Sequence, residues 1–388
     1  PQASPWTAPG PQQPAPYGQP YGDRPPPYGP GPQTPYPPQP QPGHGYMPPP
    51  QALRPGIIPL RPLGLGDILD GTIKLIRSNP KAVLGLSAVA ALLAAVPLAI
   101  GQAFVLNAMG TALTDPTTPP DQITSVYGIA AQYGGSLISY AVQFVVVTLL
   151  TGVLTRILGR AVFGGNITAG EAWQLVKGRV PALFGVVGLM AVIMLVPMVV
   201  FVLLIVAISM SSTGEGAIGL VIGLTILFII VYVVYYLFFW TRFAFASPAV
   251  VLEGKGPIQA MRRSWHLVSG DFWRVFGILL LTSLLVGLLG AVVSVPFTIA
   301  GTLFGMLGAG SMANAIVSAV LIALGATLSA MFTYPFQAGV AGLLYADRRM
   351  RSEAFDLVLQ TAAIEQQRQG WVHASADELW HPSNSAGS

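Results

Sequence analysis

Six stretches of the chain are apolar for long enough to cross a bilayer, and the polar segments between them differ sharply in charge. A spanning helix needs about 20 consecutive apolar residues. The stretches at about 82–106, 134–158, 181–210, 217–240, 275–300 and 314–345 reach that length, and none carries an Asp, Glu, Lys, Arg or His in its interior. The third and sixth exceed what a bilayer requires, so they are expected to tilt, bend or protrude.

A short amphipathic segment precedes each odd-numbered span. In Leu65–Arg77 the apolar face is Leu65, Ile68, Leu69, Ile73 and Ile76. Asp67 and Asp70 come early there and Lys74 and Arg77 late, the order a helix dipole favours. In Ala169–Lys177, Thr168 and Glu171 have capping-box spacing, with Trp173 and Val176 on the apolar side. In Pro257–Ser269, proline occupies the first helical position. Ile258, Met261, Trp265 and Val268 form one stripe, opposite Gln259, Arg262, Arg263, His266 and Ser269.

Three such segments, each followed by two spans, predict a threefold repeat: 64–160, 161–247 and 248–346. Gly85 to Pro97 and Gly185 to Pro197 are both twelve residues, while Gly277 to Pro296 is seven longer. An ungapped alignment of 161–173 with 249–261 sets Glu171 against Gln259 at one capping position. Short matches among Ala, Gly and Val arise by chance, but the shared cap and a proline in each odd span favour the repeat. Pro97, Pro197, Pro296 and Pro335 are expected to kink their helices and free backbone carbonyls. Two rows of small residues, Ser283/Gly287/Ala291 and Thr148/Gly152/Thr155/Gly159, are expected to let helices approach closely.

The basic residues set the orientation. All 19 Lys and Arg fall before span one, between spans two and three, between spans four and five, or after span six. The opposite connections hold only Asp115, Asp121 and Glu215. Positive residues stay cytoplasmic, so both termini are expected inside. The fold expected is an all-α membrane bundle of six transmembrane helices with three cytoplasmic interfacial helices, spanning 56–347 and followed by a short helix and tail at 348–388. Lys74, Arg77, Lys81, Trp173, Lys177, Arg179, Arg262, Arg263, Trp265, Trp273 and Arg274 are the candidates for contact with lipid headgroups at that interface.

Composition agrees. Charged residues make up 9% of the chain, against about a quarter in a soluble domain. Residues 1–55 differ from the rest: twenty of the first fifty are proline and none is Leu, Ile or Val. Such a segment cannot bury enough apolar surface to offset its ordering entropy, and disorder with polyproline II stretches is expected. Tyrosine recurs beside proline, at Tyr17, Tyr21, Tyr28 and Tyr36. The tail is either a multivalent ligand for cytoplasmic partners with aromatic-lined grooves or a solvated spacer.

The sequence also excludes chemistry. Without cysteine there is no thiol nucleophile or cysteine metal site, and four scattered histidines make no metal cluster. Phosphate-loop and dinucleotide motifs are missing too. Carboxylates that could couple ion flow are absent from the span interiors. No metal, cofactor or nucleic-acid partner is expected.

Three segments carry a resemblance: Arg61-Pro62-Leu63-Gly64-Leu65-Gly66-Asp67-Ile68-Leu69-Asp70-Gly71, Glu253 through Trp265 continued by Ser269 through Gly277, and Leu344-Tyr345-Ala346-Asp347-Arg348-Arg349-Met350-Arg351-Ser352-Glu353. With these the chain resembles an actinobacterial family of proline-rich multi-pass membrane proteins, similar to the membrane domain of glycerophosphoryl diester phosphodiesterases. The resemblance covers about residues 60–360 and implies a plasma-membrane location. No soluble catalytic domain of that class is present. The function expected is a non-catalytic scaffold that binds anionic headgroups. The alternatives are a lipid or apolar-substrate transporter and a membrane partner of a phosphodiesterase.

Overall fold

The structure, a computed structural model, describes residues 56–59, 61–114, 126–211, 215–307, 311–369 and Trp380. The expectations for the tail 1–55 and for the chain end beyond 369, Trp380 apart, lie outside the described residues. Eleven α-helices and no strand are found among those described. They are α1 (Leu65–Ser78), α2 (Pro80–Thr114), α3 (Val126–Ala161), α4 (Ala169–Val176), α5 (Val180–Ser211), α6 (Glu215–Arg242), α7 (Ala246–Glu253), α8 (Pro257–Ser269), α9 (Phe272–Leu307), α10 (Met312–Glu353) and α11 (Phe355–Gln369). The six long helices, α2, α3, α5, α6, α9 and α10, are apolar and long enough to cross a membrane, and the chain is a multi-pass membrane protein.

The order short helix, long helix, long helix occurs three times, as α1–α3, α4–α6 and α8–α10. The third position of each short helix is Asp67, Glu171 and Gln259. Asp67 accepts from the Gly64 backbone N–H at 3.1 Å. Glu171 accepts from the Thr168 N–H at 3.0 Å while the Thr168 hydroxyl accepts from the Glu171 N–H. Gln259 makes no such bond; there Pro257 fixes the first turn. The sequence did not reveal α7, a buried helix ended by Gly254 at φ 70°. A side chain at Gly254 would also collide with the Arg179 guanidinium lying over it.

The large apolar core sits at the basic end. Fully buried Ile58, Leu63, Ile68, Leu75, Ile157, Phe245, Tyr345, Phe355 and Trp380 meet there. The strip before α1, α1, the ends of α3 and α10, the residue before α7, the start of α11 and Trp380 beyond it supply them, and α7 and α8 add further buried apolar side chains. α10, with 42 residues, is about 63 Å long. It therefore runs well beyond a hydrocarbon layer of about 30 Å. Its protruding part enters this cap, where every residue from Gly342 to Met350 is buried. Outside the bilayer water drives large side chains inward. Inside it, lipid removes that drive and close contact falls to small residues.

The amphipathic helices are correspondingly more buried than a simple interfacial helix. α1 buries Ile68, Gly71, Thr72 and Leu75, whereas Ile73, expected on the apolar face, is 46% exposed. Thr72 abuts Gly339 of α10, and Gly71 leaves room for Ile58 and Leu343. α8 buries Ala260, Met261, Ser264, Leu267 and Val268, and leaves Ile258 and Trp265 outside. Each helix thus has a protein side, an apolar exposed side and a polar side, and hydrophobicity alone merges the first two.

Among the spans, α2, α3, α9 and α10 pack together. α5 and α6 form an arm that stands off: no described residue of 187–211 or 218–240 is buried. The arm holds itself together. Phe201 stacks on Phe228 at 3.9 Å, and the Tyr235 hydroxyl donates to the Ile193 carbonyl at 2.8 Å. That carbonyl is the one left without a helical donor by Pro197, four residues on. Tyr232 donates to the next carbonyl, Met194, at 3.0 Å. The helices run unbroken through Pro97, Pro197, Pro296 and Pro335.

The small-residue rows are half as expected. Gly152 faces Leu183 and Val176, and Gly159 faces Leu252 and Trp380. The row Ser283/Gly287/Ala291 is not the α9 seam: Gly287 meets open space and Ala291 is exposed. Gly290 and Gly301 make the contact, against Ser329 and against Ile322 with the Ser318 carbonyl. These are neighbouring rows on one helix, both flanked by Leu and Val, so composition does not choose between them. A methyl group at Gly301 would lie 2.8 Å from the Ser318 carbonyl oxygen. Gly301→Ala is expected to destabilise the protein by about 1–3 kcal/mol and Gly287→Ala to leave it unchanged, read from thermal unfolding in lipid nanodiscs.

Candidate functional site at the basic end

Two buried carboxylates organise the cap. The first is Asp347, near the end of α10, fully buried. It accepts from the Leu63 backbone N–H at 2.8 Å, from Arg274 at 2.6 Å and from Arg351 at 2.9 Å. Arg274 and Arg351 also donate to the Leu63 carbonyl, at 2.8 and 3.0 Å. Both backbone groups of Leu63, before α1, are thus clamped by α9 and α10, which explains why an extended strip holds a fixed place there.

The second is Glu253, the last residue of α7. Its carboxylate accepts from Arg263 at 3.0 Å and from the Tyr345 hydroxyl, with Lys255 at 3.6 Å and Arg349 at 3.7 Å. Arg263 also pairs with Glu353. Burial alone would lower the Arg263 pKa, but its bond to Glu353 and the charge of Glu253 hold it above the ordinary arginine value. Nearby, Arg348 pairs with Asp271 at 2.7 Å and donates to the Leu267 carbonyl. Arg349 lies 4.2 Å over Phe355 and donates to the Trp380 carbonyl at 3.0 Å. Trp380 in turn donates its indole N–H to the Gly159 carbonyl at 3.2 Å. Four carboxylates face six cations here, so the cluster stays positive.

The candidate interface residues therefore divide. Arg263 and Arg274 are corrected: both turn into the cap, where buried carboxylates hold them, rather than toward headgroups. Arg179 is tied to the Gly254 carbonyl at 2.8 Å, and Lys74 to Asp70 at 2.7 Å. Arg77, Lys81, Lys177 and Arg262 are exposed, with no ion pair among the described residues. Trp173 and Trp265 are each partly exposed and Trp273 is 78% exposed. On α8 the exposed face is Ile258, Arg262 and Trp265, an apolar–basic–aromatic row suited to the headgroup boundary.

Sequence reasoning missed Arg242 as part of this surface. Its guanidinium lies 4.6 Å from the Trp265 ring and 5.2 Å from those of Phe238 and Phe272. It donates to Ser269 at 2.7 Å and has no carboxylate partner among the described residues. Also missed were Glu253, Tyr345, Asp347 and Trp380. The i,i+4 spacings Asp347–Arg351 and Arg349–Glu353 signalled that the last span continues as a helix through its charged end.

A second feature lies among the spans. Between the arm and the bundle is a half-open groove of about 480 Å³. Its walls are Tyr236, Leu237 and Trp240 of α6, with Ala244 beyond, and residues of α3, α9 and α10 that include Thr151, Thr282, Ser283, Tyr334 and Gln337. None of the four interior prolines lines it. No group of His, Asp or Glu that could hold a metal ion occurs among the described residues.

The three segments that carried the sequence resemblance meet in the ion-pair cap. The family model described as Domain of unknown function (DUF7847) matches residues 63–338, and the chain belongs to that family. Neither the curated proteins nor the solved structures give a match.

The cap's role is testable through Asp347. Asp347→Asn removes the charge partner of Arg351 and leaves Arg274 only Asp271, at 4.0 Å. A loss of about 3 kcal/mol is expected, at the low end for a broken buried pair because both arginines are partly exposed. Chemical unfolding in nanodiscs measures it.

Proposed function

Starting from membership of a family whose description assigns no activity, we propose that the protein is a non-catalytic scaffold of a bacterial plasma membrane. Its basic end faces the cytoplasm and holds anionic lipid headgroups around a rigid cap. The observation that carries this reading is the sorting of the cations. Those within the cap are paired with carboxylates, of which Glu253 and Asp347 are fully buried, while Arg77, Lys81, Lys177 and Arg262 stay exposed among Trp173, Trp265 and Trp273. Arg242, stacked on aromatic rings and lacking an acidic partner among the described residues, adds a fixed positive group. On this reading the proline-rich tail is the arm that recruits cytoplasmic partners.

The absence of cysteine makes the orientation straightforward to test. Gly178→Cys lies at the basic end and Ser211→Cys at the other. An impermeant maleimide added to intact cells is expected to label Ser211→Cys and to spare Gly178→Cys until the cells are opened; the reverse pattern ends the cytoplasmic assignment.

Headgroup binding is tested in nanodiscs of mixed phosphatidylglycerol and phosphatidylcholine. The wild type is expected to enrich the anionic lipid around itself. Replacing Lys81, Lys177 and Arg262 together by alanine is expected to cut that enrichment about fivefold, and raised salt to weaken it further. Unchanged enrichment in the triple variant overturns the headgroup role.

A further inference from the structure

The groove between the arm and the bundle has a chemistry that bulk lipid tails do not match. Its volume of about 480 Å³ falls in the range of roughly 300–1,000 Å³ typical of small-molecule sites. Every long helix around it is a candidate membrane span. Within hydrocarbon an unpaired polar group is costly, because no water is available to satisfy it.

Four of the lining residues carry polar groups left unpaired at its wall. The Tyr236 and Tyr334 hydroxyls, the Trp240 indole N–H and the Gln337 amide have no hydrogen-bond partner among the described residues. The other hydroxyls of the wall differ: Thr151, Thr282 and Ser283 each donate to a carbonyl of their own helix. All four unpaired groups can donate, and the indole can only donate. Their complement is a ligand rich in acceptor oxygens. The remaining walls, such as Leu150, Leu154 and Leu279, are aliphatic.

The depth narrows the ligand further. Trp240 lies two residues before Arg242, at the basic end of α6. On α10, Tyr334 lies eight residues before Gly342, where the buried cap begins, about 12 Å along the helix. One leaflet of hydrocarbon is about 15 Å deep. The groove therefore runs from the basic-side interface into the hydrocarbon of that leaflet.

We propose that this groove is a binding site for one ester-linked phospholipid of the basic-side leaflet. An acyl chain lies along the leucines, and the ester oxygens accept from the Trp240, Tyr334, Gln337 and Tyr236 donors. The site is separate from the exposed cations of the headgroup surface, since its selectivity lies in the linkage and not in the headgroup.

The probe pair is dioleoyl phosphatidylglycerol and its diether analogue, which share headgroup and chain length and differ only in the ester carbonyls. Full-length protein is equilibrated with both in detergent, and the lipid retained is identified by native mass spectrometry. The wild type is expected to retain one molecule of the diester about fivefold over the diether, the scale of a single net hydrogen bond. Trp240→Phe and Gln337→Leu, which keep the wall apolar and similar in shape, are each expected to lower that preference. Thermal unfolding confirms that both variants fold. Equal retention of the two lipids by the wild type, or an undiminished preference in both variants, overturns the proposal. Arg262→Ala is expected to leave the diester preference intact, so failure of the headgroup reading and failure of the groove site are distinguishable.

Discussion

Burying a carboxylate is tolerable only when positive charge and hydrogen-bond donors surround it. Glu253 and Asp347 impose that condition on the whole basic end. Around Asp347, the strip before α1, the start of α9 and the end of α10 must be in register within hydrogen-bond distance. Around Glu253, α7, α8 and α10 must be. Removing any one of these elements strands a charge. Apolar contact is forgiving of small displacements, whereas these bonds are not. The cap is thereby locked to a single arrangement of the three helical units.

This arrangement divides the labour between two solvents. In the cap, large side chains such as Tyr345, Phe245 and Trp380 are sealed from water. In the bundle, Gly290, Gly301 and Gly325 let α9 and α10 approach, and the leucines and valines turn outward to lipid. α10 passes through both regimes in one unbroken helix. Its first part is packed as a membrane helix and its last part as the centre of a small water-facing core.

The sequence made the first regime legible. Six long apolar segments, their common charge asymmetry and the three amphipathic helices could all be read from periodicity, because each is a property of one segment. Thr168 and Glu171 announced their cap, and the structure contains it. The ion-pair cap was not legible, because it depends on which segments meet. Arg263 and Arg274 look like surface cations in isolation, and only the fold brings Glu253 and Asp347 to them. Ile73 and Ile258 failed in the same way: an amphipathic pattern reveals that a face is apolar but not whether protein or lipid covers it. Pro197 was expected to free a carbonyl, yet nothing in α5 alone indicated that Tyr235 of α6 would donate to the one four residues before it.

The standing-off of α5 and α6 has a mechanical consequence. Tyr236, Leu237 and Trp240 ride on that pair, while the facing walls on α3, α9 and α10 belong to the fixed body. The pitch of the pair and the gape of the cleft are therefore one coordinate. A thinner or thicker bilayer that leans the pair over also resizes the cleft, and a molecule wedged in the cleft acts as a shim that sets the lean.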